Sequence, residues 1–264
     1  MKNTLSRHSG PDSARLTPPF YFFSDTHISP RPGGLREERT REVLQLLRNI
    51  GKSGGTLFIL GDFFDFWFDC RNYIPPALRE TVETLAFVRE QGVEIHYVGG
   101  NHDYWVRGYL TRELGIRFYP EAISFTWEGC RFWCQHGDEV VYNHFIYPYI
   151  RKLLRAPWAI GMLKLLPAGW IYALGEGVSH YNRAIGRIPR VPEEIVKKMC
   201  AFLKKKTDAG YDVAVSGHVH KPCLEIQDGK YAAVLGDWIH HRSYGIWDPS
   251  GFRLIRGNGD EVRT

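Results

Sequence analysis

FYFFSDTH, residues 20–27, decides how the rest of the chain reads: four aromatic residues pass without a break into an Asp-x-His turn. A short, continuous apolar run closed by polar residues is the pattern of a strand buried on both faces. The pattern returns in TLFILGD (56–62), VEIHYVGG (93–100), RFWCQHGD (131–138) and DVAVSGH (212–218), and each run closes on Asp, Gly or His. Between the first three runs, residues 36–50 and 76–91 space their apolar side chains for helices, as at Val43, Leu46, Leu47 and Ile50. Strands alternating with helices predict a β-α-β layered α/β domain. In such sheets ligands bind beyond the carboxyl ends of the strands, which is where the polar residues of this chain gather.

Five motifs stand at those strand ends in chain order: Asp25-Thr26-His27, Gly61-Asp62-Phe63-Phe64-Asp65, Gly100-Asn101-His102-Asp103, His136-Gly137-Asp138 and Gly217-His218-Val219-His220. Residues two apart in an extended segment face the same way. Asp25 with His27, and His218 with His220, are therefore expected to turn both side chains toward one metal pocket. A carboxylate such as Asp62 can hold two metals about 3.5–4 Å apart. The mixed nitrogen and oxygen donors suit Mn, Fe, Co or Zn better than Ca. Gly61, Gly100, Gly137 and Gly217, beside the donors, permit tight loops and close backbone approach. His8, His96, His144, His180, His240 and His241 are read as surface or packing residues, with His240 and His241 near enough to the last motif to approach the cleft.

The ordered set DTH, GDFFD, GNHD, HGD and GHVH resembles the calcineurin-like metallophosphoesterase family, from Phe20 to about Asp248. The resemblance implies an αββα sandwich of two mixed β-sheets flanked by helices. It also implies two divalent metals, with Mn2+ ahead of Fe, Co and Zn. Asp25, His27 and His220 would hold the first and Asn101, His136 and His218 the second, with Asp62 bridging. A hydroxide between them would attack phosphorus in line. His102 would act as general acid or electrostatic partner, oriented by Asp103, and Asn101 and His102 would touch substrate. Asp65 and Asp138 would orient ligands or loops from behind.

A second resemblance rests on GDFFDFWFD, GNHDYWVRGYLTRELGI, the long segment after HGD, and VLGDWIHHRSY, which are similar to the UDP-2,3-diacylglucosamine pyrophosphatases of lipid A synthesis. It implies hydrolysis of the pyrophosphate bond of UDP-2,3-diacylglucosamine to 2,3-diacylglucosamine 1-phosphate and UMP. Many of those enzymes carry Arg where this chain has His102. The alternative is a broader metallophosphodiesterase acting on cyclic nucleotides or small phosphodiesters. A metal-free interaction scaffold is a third reading, set against the cost of keeping buried Asp and His unpaired.

Residues 143–190 break the strand pattern and are read as a helical lid insertion in a domain spanning residues 20–264. Their seven basic side chains, Arg151, Lys152, Arg155, Lys164, Arg183, Arg187 and Arg190, face the single acid Glu176. The net of +6 in a chain of total charge +5 leaves −1 for everything else. Phe145, Tyr147, Tyr149, Trp158, Trp170, Tyr172 and Tyr181 accompany them, a composition suited to a lipid that carries phosphate. Ser179, Asn182, Arg183 and Arg187 are the candidate contacts to the sugar phosphate or the acyl amides. Charge confined to an aromatic, apolar segment fits the inner-leaflet surface of a membrane and disfavours nucleic acid. A true span is disfavoured, because Lys164, Pro157, Pro167, Gly169 and Glu176 interrupt the apolar stretch and the charge-free run 165–175 falls short of the roughly 20 residues required.

The other expectations are plainer. A hydrophobic fraction of 44% and a charged fraction of 24% in 264 residues exclude wholesale disorder. Residues 1–19 lack the apolar core of a secretory signal and are read as a flexible tail. The five scattered cysteines are read as unpaired thiols of a reducing compartment. These features predict a cytoplasmic, peripheral protein with no obligate protein partner. KPCLEIQDGKYAAVLGDW (221–238) and RSYGIWDPSGFRLIRG (242–257) are read as two hairpins that complete a second sheet.

Overall fold

The computed structural model describes residues 10–30, 35–70, 73–106, 108–141, 147–185 and 192–262. The aromatic run forms β1 (Phe20–Phe23), and the period-2 alternation of a strand divides it between two cores. Tyr21 and Phe23 enter one cluster, Phe20 and Phe22 the other. The neighbouring β2 (Thr56–Leu60) divides the same way, with Leu57 and Ile59 on one side and Phe58 and Leu60 on the other. The first cluster is roofed by α1 (Leu35–Ser53) and α2 (Arg79–Glu90). The second lies between two stacked sheets.

The first sheet adds β3 (Glu94–Val98) and β4 (Arg117–Tyr119) parallel to β2. The second contains β5 (Ile123–Trp127), β6 (Cys130–Gln135), β7 (Val213–Ser216), β8 (Cys223–Gln227) and β9 (Lys230–Val234), in the order β5-β6-β7-β9-β8. Both sheets mix parallel and antiparallel pairs. A further helix, Glu193–Asp208, covers the outer face of the second sheet through Val196, Met199, Cys200 and Leu203, completing the αββα sandwich. The sequence expectations did not include this helix, nor β4 and β5.

The terminal hairpins depart from expectation. β8 and β9 do join the second sheet, across an Asp228-Gly229 turn with both residues at positive φ. The last pair, β10 (Ser243–Asp248) and β11 (Gly251–Arg256), instead extends the first sheet, with β10 antiparallel to β1. The order there is β11-β10-β1-β2-β3-β4. The edge of β1 away from β2 offers unpaired backbone groups, and Trp247, Phe252 and Leu254 reach the inter-sheet core only from that position. Packing also begins ahead of Phe20, inside the segment expected as a flexible tail, of which residues 1–9 lie outside the described residues. Leu16 is buried, the Thr17 amide donates to Thr56 Oγ1 at 3.0 Å, and the Thr56 hydroxyl donates to the Thr17 carbonyl at 2.9 Å.

The short α3 (Tyr109–Arg112) precedes β4 in the chain, and among the described residues α4 (Asp138–Val141), α5 (Tyr147–Arg155), α6 (Pro157–Leu163) and α7 (Ala168–Ile185) follow β6, with Glu193–Asp208 as α8. Ile171 and Tyr172 of α7 pack on Phe68 and Cys70, and the Tyr172 hydroxyl donates to the Phe68 carbonyl at 3.0 Å. Tyr172 is thus a packing residue. Tyr149, Trp158 and Trp170 point outward.

Candidate metal centre

All five motifs sit on loops leaving the carboxyl ends of β1, β2, β3, β6 and β7. Among the described residues three groups of donors meet there, one of them His27, Asp65 and His102; the other two fall within the expected ligand sets. Asp25, His27 and His220 bring one atom each within 4.8 Å of one another, and Asp62, His136 and His218 do the same. The His27 and His220 Nε2 atoms are 3.4 Å apart, and Asp25 Oδ1 is 3.3 Å from His220 Nε2 and 3.8 Å from His27 Nε2. In the second group His136 Nε2 is 3.2 Å from His218 Nδ1, 3.1 Å from Asn101 Oδ1 and 3.4 Å from Asp62 Oδ2. Asp62 Oδ2 is also 4.0 Å from His27 Nε2, so one carboxylate oxygen stands between the groups.

The residue pairs do not converge by strand alternation. Asp25, His27, Asp62, His218 and His220 all have positive φ, 53°, 47°, 51°, 68° and 46°. Each costs on the order of 1 kcal/mol or more outside glycine, and surrounding hydrogen bonds hold such strain in place. Here Asp25 N donates to Gly61 O at 3.2 Å and His27 N to Asp62 O at 3.0 Å. The glycines are needed for close approach: a Cβ on Gly217 would lie 1.8 Å from Ser24 Oγ, and one on Gly61 would lie 2.7 Å from His136 Nδ1.

These donors fit divalent metals. Ligands held about 2.1 Å from one cation stand roughly 3–3.5 Å apart at tetrahedral or octahedral angles, which is the spacing seen between the ring nitrogens. Among the described residues Asp25 Oδ1 is buried without a hydrogen-bond partner, while its other oxygen accepts from the Ser24 hydroxyl and from the His218 amide at 2.7 Å. A buried carboxylate oxygen left open toward two imidazole nitrogens is a position for a cation.

Groups behind the donors fix which atom each one presents. His136 Nδ1 donates to the Leu60 carbonyl at 2.8 Å, leaving Nε2 to the centre. His220 Nδ1 faces Asp237 Oδ2 at 3.2 Å, leaving its Nε2 beside Asp25. Asp237 is fully buried, and its Oδ1 accepts from the His240 and His241 amides at 2.9 and 3.0 Å. His240 and His241 thus approach the centre through Asp237, with His241 Nδ1 3.1 Å from Asp237 Oδ1. The sequence reading missed Asp237. Its signal was the Gly-Asp pair at 236–237, which repeats Gly61-Asp62 and Gly137-Asp138. Exchanging Asp237 for Asn removes the charge while keeping the volume, and should weaken metal binding about 10–100-fold. Titration of the stripped protein with Mn2+ measures this, and an unchanged Kd would refute the role.

Asp103 does not orient His102. Its Oδ1 accepts from the Asp62 and Gly100 amides, both at 3.1 Å, and its Oδ2 from the Phe63 and Phe64 amides at 2.7 and 3.2 Å and from the Tyr97 hydroxyl. A carboxylate so engaged fastens the Asp62 loop to the Gly100 loop. His102 is instead oriented by the Asp65 carbonyl, 2.8 Å from Nδ1, and its Nε2 lies 4.0 Å from Asp62 Oδ2. Asp65 also brings Oδ1 to 3.7 Å from His27 Nδ1, and Asp138 is buried at the start of α4.

Ser179, Asn182 and Arg183 lie on α7, but their side chains are outside the described residues, as is all of Arg187. Phe145 and Arg190 fall outside as well, together with the side chains of Tyr147 and Tyr181. Arg155, which the sequence reading left among the seven basic residues, is the described cation that ties the helical segment to the metal loops. Its guanidinium lies 3.8 Å from the centre of the Tyr104 ring, and Nη2 reaches the Gly100 carbonyl at 3.5 Å. Nη1 faces Glu121 at 3.5 Å.

Without metal, protons occupy part of the centre. Burial alone would lower His136, but the Asp62 carboxylate, with Asp25 and Asp138, raises it to about 10. His220 rises to about 10 against the same burial, through Asp237 and Asp25. Burial and the neighbouring His136 hold His218 down at about 4. The two raised imidazoles stabilise the metal-free fold fully below their unfolded value near 6.5, and that contribution is lost as pH rises through about 10. Metals need them neutral, so metal affinity should rise with pH across neutrality, and binding at pH 7 should release about two protons per chain. Calorimetry in buffers of different ionisation heat counts them, and no release would contradict this assignment.

The calcineurin-like phosphoesterase family matches residues 18–222 of the chain. A UDP-2,3-diacylglucosamine hydrolase of Porphyromonas gingivalis is 30% identical over 244 residues, covering 86% of this chain and 93% of that protein. The protein of the same name from Neisseria meningitidis serogroup B is 26% identical over 92% of this chain and 95% of its own, and that of Haemophilus influenzae is 25% identical over 83% and 90%. With both donor groups assembled on those matched loops, the chain belongs to the calcineurin-like phosphoesterase family.

Proposed function

We propose that the chain hydrolyses the pyrophosphate bond of UDP-2,3-diacylglucosamine, giving 2,3-diacylglucosamine 1-phosphate and UMP, with two divalent metals, Mn2+ first among them. The observation that carries this reading is one carboxylate oxygen, Asp62 Oδ2, set between two donor groups beside a basic, aromatic helical segment. The relatives that bear the name match along most of their length.

Bound cations would supply Lewis-acid charge for the phosphoryl oxygens and lower the pKa of an attacking water. Asp25, His27 and His220 would hold one, and Asn101, His136 and His218 the other. His102 is held by the Asp65 carbonyl at Nδ1, which leaves Nε2 free to meet the phosphate oxygens that a bound substrate would bring. The leaving group is a phosphate monoester with a second pKa of about 6, so charge stabilisation there matters more than proton donation. That is a task which Arg in other enzymes and His102 here share. Arg155 keeps its cation at the Gly100 loop, on the side from which a lipid phosphate would enter over the helical segment.

The helical segment would serve as lid and as contact with the inner leaflet. Trp158, Leu165 and Trp170 are 61%, 84% and 66% exposed, in a segment whose net charge is positive. Such a surface suits interfacial binding to anionic lipid. Among the described residues no single helix is long and apolar enough to cross a membrane. Only α6 with the first half of α7 passes that test, as a pair bent by 114°. The site of action would be the cytoplasmic face of the membrane.

Purified protein with Mn2+ should release UMP from the diacylated sugar nucleotide, and the deacylated analogue should be cleaved at least about tenfold less efficiently in kcat/KM. Equal rates on both, or faster cleavage of cyclic nucleotides and simple phosphodiesters, would replace this substrate with the broader phosphodiesterase reading.

A further inference from the structure

Away from the metal centre, two thiols are in contact. Cys200, on the inner side of α8, is buried in the core that this helix forms with the second sheet. Cys223, the first residue of β8, is half-buried against it. Their Sγ atoms are 3.2 Å apart, with the Cys200 thiol donating to the Cys223 sulfur. Glu225 brings a carboxylate oxygen within 4.8 Å of both.

The separation discriminates between uses of such a cluster. Two thiolates on a tetrahedral zinc, each about 2.3 Å from it, stand roughly 3.8 Å apart, wider than observed here. A disulfide requires about 2.05 Å, a closure of about 1.2 Å between a helix and a strand end that already touch. We infer that Cys200 and Cys223 are a peroxide-reactive dithiol that closes to a disulfide, fastening α8 to β8 three residues beyond His220. Nothing in the metal chemistry uses either sulfur.

The two thiols have different parts in the reaction. The hydrogen bond from Cys200 lowers Cys223, while that bond and burial raise Cys200, so of the two sulfurs the more accessible one ionises first. The Cys223 thiolate attacks one oxygen of hydrogen peroxide. The O–O bond breaks, and the other oxygen leaves as hydroxide and takes a proton to become water. The Cys200 sulfur then attacks the Cys223 sulfenic acid. Its own proton leaves with the displaced hydroxyl as a second water, and the S–S bond forms. Two thiols lose two electrons and one peroxide gains them. Cys130, whose thiol burial pushes up to about 11, serves as an internal control.

The test uses the full chain, reduced, freed of reductant, exposed to hydrogen peroxide, alkylated and digested for mass spectrometry. The expected product is a cross-linked peptide pair containing Cys200 and Cys223, about 2 Da lighter than the reduced pair and reopened by dithiothreitol, with Cys130 still alkylated. Cys200→Ser should leave Cys223 as a sulfenic acid trapped by dimedone, and Cys223→Ser should give neither product. The bond closes a loop between positions 23 apart, so the oxidised wild type should melt about 5–10 °C above the reduced form. Both thiols remaining alkylatable after peroxide, or a cross-link through any other pair, overturns the inference. So does an equivalent of zinc held by the wild type and missing from Cys200→Ser, which would make the cluster a metal site.

Discussion

Asp62→Asn is expected to lower kcat/KM by about 10³–10⁴-fold and to reduce metal content below two per chain, because it changes the one carboxylate oxygen that stands between the two donor groups. Asn tolerates the left-handed backbone at this position, so the φ of 51° is no obstacle to folding. The substitution also spares one contact: Asp62 Oδ1 accepts the His102 amide at 2.9 Å, and an amide oxygen can do the same. The NH2 then occupies the place of Oδ2, aiming donor hydrogens at His136 Nε2, 3.4 Å away, and toward His27. An anion that would attract two cations becomes a neutral amide that turns its donor hydrogens toward them. The predicted loss corresponds to roughly 4–5.5 kcal/mol of transition-state stabilisation. Metal analysis after gel filtration, beside steady-state kinetics, is the measurement. Two metals retained with activity within tenfold of wild type would show that Asp62 does not bridge.

The same residue marks how far the sequence could be read. The strand runs ending in Asp, Gly or His located the loops, and the donor types identified a metal centre, because apolar burial and ligand chemistry are both properties of residue type. How the donors converge was not legible. Asp25-x-His27 and His218-x-His220 look like strand alternation, yet all four residues have a left-handed backbone, with Asp25 and His27 held by backbone hydrogen bonds to the Gly61–Asp62 loop and His218 by its amide to the Asp25 carboxylate. Partners made by backbone atoms leave no trace in residue type, which is why the Asp65 carbonyl behind His102 and the four amides around Asp103 went unseen. The placement of β10 and β11 failed for a related reason. A hairpin pattern fixes its own register but not the sheet edge it joins, and that edge is chosen by Trp247, Phe252 and Leu254 meeting the inter-sheet core.

Asp103→Ala separates the two roles open to that residue. If Asp103 oriented His102, its loss would leave the melting temperature nearly unchanged and lower kcat alone. The geometry predicts otherwise: four backbone amides and the Tyr97 hydroxyl lose their acceptor at a fully buried position. Each orphaned buried donor costs about 1–3 kcal/mol, partly recovered as loops relax or water enters. A net destabilisation of about 4 kcal/mol, near the upper end for single substitutions, should lower the melting temperature by roughly 8–16 °C. Catalysis should fall as well, by displacement of Asp62, whose amide is one of the four. Asp103→Asn keeps one carbonyl acceptor but turns an NH2 toward amides, and it should fall between the wild type and Ala in both stability and activity. Calorimetry with kinetics on the same preparations decides the matter. A variant that melts within about 1 °C of wild type while losing activity would return Asp103 to the role of orienting His102. Loss of both together makes it the clamp on which the Asp62 loop depends.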